Sequence, residues 1–276
     1  MSALSHLQLV IMVKKINGLE ISEKIKDEIA AGVFLDPENR PNLAIIMVGE
    51  RPDSKMYVSL KQREGLKVGI DTHLYFLEET VTQPELIEVI KFLNSDSSID
   101  GILIQLPLPD FLNTDQIIAA IDPEKDVDGF HPNHPKFLTS PVLASVGACL
   151  DYIGFVGQGK KACVLYNSEV FGRSARDYLS AKGLMVLPPN KSAEADLLLS
   201  ALGKPRTIKA EMIKEGAILI DVGITSLSGR AVGDLDWESV AGKADWATPV
   251  PGGIGPLTVA FLLKNTWEIH KRKNKS

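Results

Sequence analysis

Ala162–Leu187 reads ACVL, YNSEVF, GRSARDYLSAK, G, LMVL, and this stretch decides the fold. Ala162–Leu165 and Leu184–Leu187 are short continuous apolar runs, the pattern of strands buried on both faces. Gly172–Lys182 between them has a helical pattern. Strand, helix, strand over so short a distance is a βαβ unit, whose strands are parallel and whose crossover is right-handed. Working outward, the same kind of run recurs at Leu43–Val48 (LAIIMV), Ile102–Leu106, Leu197–Ala201 and Ile218–Val222. Helical patterns fall at Ser54–Lys67, Pro84–Leu93, Asp115–Ile121, Val142–Ile153 and Leu257–Lys271. Alternating elements of this kind imply an α/β fold built on parallel sheets.

The chain has 276 residues, room for two ordinary domains. Gly154, Gly157 and Gly159, followed by Lys160 and Lys161, mark a boundary, because the strand–helix alternation restarts at Ala162. The final helix carries Val259, Leu262, Leu263 and Trp267 near one face, so it is expected to pack back on the first domain. The expected division is therefore a discontinuous N-terminal α/β domain, 1–153 with 254–276, and a Rossmann-like parallel-sheet domain, 154–253.

Thirty Lys and Arg against 35 Asp and Glu leave a net charge of −5, which argues against broad nucleic-acid binding. The basic tail from His270 onward is expected to be a solvated helix end. No apolar run approaches the roughly 20 residues that span a bilayer, so no membrane partner is expected. Two cysteines, Cys149 and Cys163, lie in apolar surroundings and read as buried thiols of a reducing compartment. Met1–Val13 lacks the positive start and small-residue cleavage site of a signal peptide. It reads as a loose extension of a cytoplasmic protein.

Chemistry could sit in four places. Tyr57 and Lys61 are four apart on a helix that Asp53 or Ser54 is expected to cap, so they share a face. A phenol beside a lysine desolvated enough to titrate near neutrality is a proton-transfer pair, although the spacing alone equally describes a surface contact. Gln105 ends an apolar strand before QLPLP, where open α/β sheets bind ligands, or else it satisfies loop backbone. Lys125–His131 (KDVDGFH) holds two aspartates before Gly129, with too few oxygen ligands for a calcium loop. His131 and His134 lack a third ligand, so no metal is expected. Thr248–Pro256 (TPVPGGIGP) has three prolines and three glycines, more than a simple turn requires.

Gly154, Gly157 and Gly159 precede their strand and cannot form a dinucleotide phosphate loop, which must follow one. The loop in the right place runs from Tyr166 to Gly172. Its helix amides suit phosphate, Glu169 opposes it, and Arg173 or Arg176 could offset that charge.

In order and spacing, YVSLK (Tyr57–Lys61), QLPLP (Gln105–Pro109), KDVDGFH, GAILIDVG (Gly216–Gly223), Gly233-Asp234 and TPVPGGIGP resemble the bifunctional methylenetetrahydrofolate dehydrogenase/methenyltetrahydrofolate cyclohydrolase family, over about Val13 to Lys271. The resemblance implies proton transfer by Lys61, substrate positioning by Tyr57, tuning of the lysine by Gln105 and a grip on the pterin by Asp128. It implies a tetrahydrofolate substrate in a cleft between domains, with Pro251, Gly252 and Gly253 at the rim. It also implies NADP contacts at Ser168, Gly172, Arg173 and Ile224, and a homodimer.

The departures fall on the dinucleotide side. The family's Cys-Thr-Pro core is replaced within SPVLASVG (Ser140–Gly147). Tyr166 and Asn167 stand where its GRSxxVG-like loop has Gly and Arg, and Pro188 and Pro189 replace a polar turn. Three readings follow: a folate enzyme with both activities and weakened NADP use, with NAD or no dinucleotide as the variants; a cyclohydrolase alone; and a catalytically silent folate-binding or scaffolding homologue.

Overall fold

The computed structural model describes residues 13–227 and 229–275; the expected extension before Val13 lies outside them. In chain order the elements begin β1 (Lys14–Lys15), α1 (Gly18–Val33), β2 (Asn42–Val48), α2 (Pro52–Lys67), β3 (Asp71–Leu77), α3 (Gln83–Ser95), β4 (Gly101–Ile104), α4 (Thr114–Ile118) and α5 (Pro141–Tyr152). They continue β5 (Lys161–Tyr166), α6 (Glu169–Ala181), β6 (Met185–Leu187), β7 (Leu197–Ala201), β8 (Ile218–Asp221), β9 (Thr225–Leu227), β10 (Arg230–Val232), α7 (Trp237–Val240), β11 (Trp246–Ala247) and α8 (Ile254–Lys273).

The chain divides into two compact units. One is Leu19–Ser145 with the segment from Pro256; the other is Val146–Gly255 with the segment ending at Gly18. The division thus falls within α5 and α8 rather than at 153/154 and 253/254, and β1 pairs with β11 in the second unit's sheet.

In the first unit β2 lies between β3 and β4, all parallel. Alternate side chains of β2 point to opposite faces. Leu43, Ile45 and Met47 join a core with Val259, Leu262 and Leu263 of α8, and Ala44, Ile46 and Val48 join another with Leu86, Ile90 and Leu93 of α3. This is why LAIIMV is apolar throughout. The final helix completes the first core, and its basic end is not simply solvated. His270 is buried, with Nδ1 3.0 Å from Asp100 Oδ2, and Lys273 Nζ reaches Asp100 Oδ1 at 2.9 Å.

α2 is not capped by Asp53 or Ser54. Arg51 holds the N-cap position without a side-chain bond, and Pro52 supplies the first turn, where a missing N–H costs nothing. Asp53 instead pairs with Arg51 at 2.8 Å. The helix is tied to α1 by Lys26, whose Nζ is 2.5 Å from the buried Glu64 Oε2. Lys26, Lys67 and Arg63 hold the Glu64 carboxyl down at about 2 against its burial.

The second unit is a six-stranded parallel sheet ordered β1-β11-β8-β7-β5-β6, with an antiparallel β9–β10 hairpin beside it. Cys163, Leu165, Leu198, Leu219 and Ala247 share its core. Cys149 and Cys163 are free and buried, and burial lifts their thiols to about 12 and about 11, leaving them unreactive.

Candidate active site

Lys61 and Tyr57 lie one turn apart on α2, and Gln105 follows the last residue of β4. The Gln105 backbone N–H donates to Ile46 O at 2.8 Å, carrying the strand pairing one residue further. Its side-chain Nε2 donates to Leu106 O at 2.7 Å. That bond fixes the amide so that Oε1 faces the lysine, and Lys61 Nζ donates to it at 2.9 Å. Gln105 therefore satisfies the loop backbone and also touches the lysine, the partner that the family resemblance implies.

Burial pushes the Lys61 ammonium below its usual value, with the charge of Asp128 opposing the shift. Burial pushes the Asp128 carboxyl up to about 6, against the pull of Lys61. Each group would otherwise be firmly charged; together they form an acid and a base whose proton affinities have been brought toward each other. Tyr57 is half-buried, which raises its phenol.

The residues of KDVDGFH divide their labour. Lys125 Nζ donates to the carbonyls of Leu93, Asn94 and Asp96 and closes the C-terminal end of α3. Asp126 is buried and turned into the protein, accepting backbone N–H bonds from Asp128, Gly129 and His131 at 3.1, 3.1 and 2.9 Å. The Asp128 carboxylate accepts no such bond among the described residues. His131 Nδ1 accepts from Asn133 N at 2.9 Å, and His134 Nδ1 faces Asp126 Oδ2 at 3.1 Å. Among the described residues no three His, Cys, Asp or Glu side chains could hold a metal ion.

The second unit holds the remaining expected positions. Ser168 is the N-cap residue of α6 but makes no side-chain cap bond. Gly172 is buried under Tyr166: a β-carbon there would sit 2.6 Å from the ring. The close approach this glycine permits is thus taken by the chain's own phenol. Arg176 Nη1 donates to Tyr166 Oη at 2.6 Å and Nη2 to Glu169 Oε1 at 2.8 Å. Asn167 Nδ2 donates to Leu202 O at 3.0 Å. Arg173 is exposed, as is Ile224 after β8. Pro251, Gly252 and Gly253 form a tight coil, with Gly252 at φ 98° and the Gly253 carbonyl against Gly18, where a β-carbon would meet it at 1.9 Å.

The same unit contains a pair that spacing alone does not reveal. Asp221 and Asp234 are both 1% exposed. Asp234 accepts from Ser200 Oγ, Leu202 N and Lys204 N at 2.7, 2.7 and 2.8 Å, and Asp221 Oδ2 accepts from Leu235 N at 3.0 Å. A β-carbon at Gly223 would lie 2.2 Å from the Asp234 carboxylate, and one at Gly233 would lie 2.2 Å from Asp221 Oδ2. DVG and GD are therefore halves of one knot that ties the carboxyl-end loops of β7 and β8 to the loop after β10. The readable signal is a glycine within two residues of an aspartate at both places.

Residues 16–128 match the family model of the tetrahydrofolate dehydrogenase/cyclohydrolase catalytic domain, and residues 142–274 match that of its NAD(P)-binding domain. The bifunctional protein FolD of Sulfurihydrogenibium sp. is 41% identical, over 94% of this chain and 98% of that protein. The crystal structure of the bifunctional FolD enzyme of Campylobacter jejuni superposes with a TM-score of 0.89 at 37% identity, over 94% of this chain and 99% of that one. The Trypanosoma brucei FolD structure, complexed with NADP and an inhibitor, gives 0.90 at 29% identity, over 96% and 99%. With both domain models matched in order and the paired lysine and glutamine in the catalytic one, this chain belongs to the tetrahydrofolate dehydrogenase/cyclohydrolase family of oxidoreductase–hydrolase enzymes.

Proposed function

We propose that the site around Lys61 hydrolyses methenyltetrahydrofolate to 10-formyltetrahydrofolate. The observation that carries this reading is the 2.9 Å bond from Lys61 Nζ to Gln105 Oε1 on an amine whose proton affinity burial has lowered. The neutral amine takes a proton from water as the water oxygen bonds to the methenyl carbon. It returns that proton to N5 as the carbon–N5 bond breaks, while the carbinol hydroxyl releases its remaining proton to solvent and becomes the carbonyl of the formyl group on N10. Gln105 holds the amine in place through both steps, and Tyr57 supports the substrate from one turn away. Asp128 accepts N–H bonds from the pterin. Replacing Lys61 by Met should lower hydrolytic kcat on the order of 100- to 10,000-fold with the fold intact; hydrolysis near the native rate would overturn the assignment. The family membership leaves the silent-homologue reading without support.

Oxidation of methylenetetrahydrofolate needs a dinucleotide, and the entrance of α6 departs from what one requires. The Tyr166 ring fills the approach over Gly172, and Arg176 is held by Glu169 and Tyr166. These observations support dinucleotide binding weaker than an open glycine-and-arginine loop would give, with the dehydrogenase the weaker of the two activities. Calorimetric titration with NADP and NAD tests this; micromolar NADP binding would overturn it.

The folate-binding unit suits a homodimer. Among the described residues β3 pairs only with β2, and its exposed Leu74 and Phe76 line a groove of about 270 Å3 with Met47 and Val58. An open strand edge with apolar side chains favours a second copy. No helix among the described residues is long and apolar enough to cross a membrane, which is consistent with a cytoplasmic enzyme.

A further inference from the structure

Asp126 has one donor that the backbone does not supply. Besides three N–H groups, its Oδ2 takes His134 Nδ1 at 3.1 Å. The ring nitrogen facing a carboxylate is the one that carries the hydrogen, so Nδ1 is the donor. Nε2 is buried and has no partner among the described residues. A buried N–H without an acceptor is rarer than an under-satisfied acceptor, which again leaves Nε2 bare. The hydroxyl of Ser140 is a second buried side-chain group of this unit without a partner among the described residues. Both border Gly129: a β-carbon there would lie 3.2 Å from His134 Nε2 and 3.0 Å from Ser140 Cβ. Gly129 has φ 75°, so the loop turns sharply here and a side chain would fill the space between the two.

The flanks of this loop are fixed by other means. Asn265 Nδ2 donates to Val127 O and to Thr139 O, both at 3.0 Å, and Asp126 bridges to Ile102 of β4. Asp128 and Gly129 lie between those anchors, and the Asp126 carboxylate holds both their amides. The charged groups around the imidazole are Asp126 and Asp128, with Lys61 acting on Asp128 from α2.

We propose that His134 is a positioning residue for Asp128: a neutral, Nδ1-protonated imidazole that fixes the Asp126 carboxylate and thereby the direction in which Asp128 meets the folate. The kinetic part rests on the reading of Asp128 as the pterin carboxylate; the tautomer does not. His134→Leu removes a hydrogen bond to a charged acceptor. It should raise KM for methenyltetrahydrofolate about ten-fold or more while kcat changes less than about two-fold. His134→Asn, whose amide N–H can reach the same carboxylate, should restore most of the loss. Nitrogen-15 spectra of the histidine-labelled native protein should show His134 protonated at Nδ1 and bare at Nε2. An Nε2-protonated ring would overturn the proposal, as would a Leu variant that only melts earlier with its KM unchanged. Should the Leu variant fail to fold, the Asn variant and the native spectrum still decide. Retained hydrolysis in Lys61→Met would sink the reading of the site and leave the spectrum to judge His134.

Discussion

Arg176 Nη2 is bonded to Glu169 Oε1 at 2.8 Å, so this guanidinium of α6 is already matched by a carboxylate of the same helix. Its other arm is held by the Tyr166 phenol. A phosphate arriving at this helix must compete with Glu169 and also meet its repulsion. Glu169→Gln should therefore tighten NADP binding, by about two- to five-fold given the exposure of the pair, and tighten NAD less. Calorimetry on both proteins checks this, and unchanged NADP affinity would show that Arg176 is not a latent phosphate ligand.

Asp128 should impose a pH limit on substrate binding. Its carboxyl is raised to about 6 by burial. In the role proposed for it the ionised form accepts the pterin N–H bonds, so KM for methenyltetrahydrofolate should be flat above about pH 7 and rise as pH falls through 6. The slope should approach ten-fold per pH unit below the transition. Asp128→Ala should have a higher KM at every pH, with less effect on kcat and without that transition. A kcat loss at unchanged KM would move Asp128 to the chemical step.

Asp221 predicts a pH dependence of stability. Its carboxyl is raised from an ordinary 3.8 to about 7, first by burial and then by the charge of Asp234. A raised carboxyl means the folded state binds more protons than the unfolded one between those values. Stability from this group is therefore lost as pH rises from about 4 to 7, to a limit of about 4 kcal/mol. Asp221→Asn keeps an acceptor for Leu235 N and removes the second negative charge. It should match the native protein near pH 4 and exceed it by about 1–4 kcal/mol at pH 8 in urea unfolding. Equal pH slopes for the two proteins would refute the shift.

Phe76→Glu tests the open edge of β3. Phe76 is 38% exposed on a strand that has one neighbour among the described residues. A charge there should lower the mass seen by light scattering from two chains to one, with circular dichroism unchanged. A native mass of one chain would remove the dimer from the outset.

The fold was legible where burial is two-sided. LAIIMV, CVLY and LLLSA are apolar because each strand has neighbours on both edges and cover on both faces. β3 was not legible, because an edge strand exposing His73, Leu74 and Phe76 has no continuous run. β1 and β11 are two-residue strands created by pairing across the chain rather than by local preference. In the site, helical spacing put Tyr57 with Lys61, and strand-end position marked Gln105. Which aspartate of KDVD turns inward could not be read from two carboxylates in adjacent alternation; that depends on where Gly129 bends the backbone. The covering of Gly172 by Tyr166 sharpens a mismatch that sequence had already located.

The return of α8 to the first core sets an order on synthesis. Val259, Leu262 and Leu263 close the face of β2 that bears Leu43 and Ile45, and the His270 and Lys273 partners of Asp100 come later still. On the ribosome, β2 emerges long before its cover, and the whole of Val146–Gly255 is made in between. The unit that handles folate must wait with its first core incomplete until the last helix has left the exit tunnel, whereas most of the inserted unit can condense beforehand. A translation stall before Pro256 accordingly leaves that face of β2 covered only by its earlier partners, such as Ile29 and Val33 of α1 and Val58 of α2.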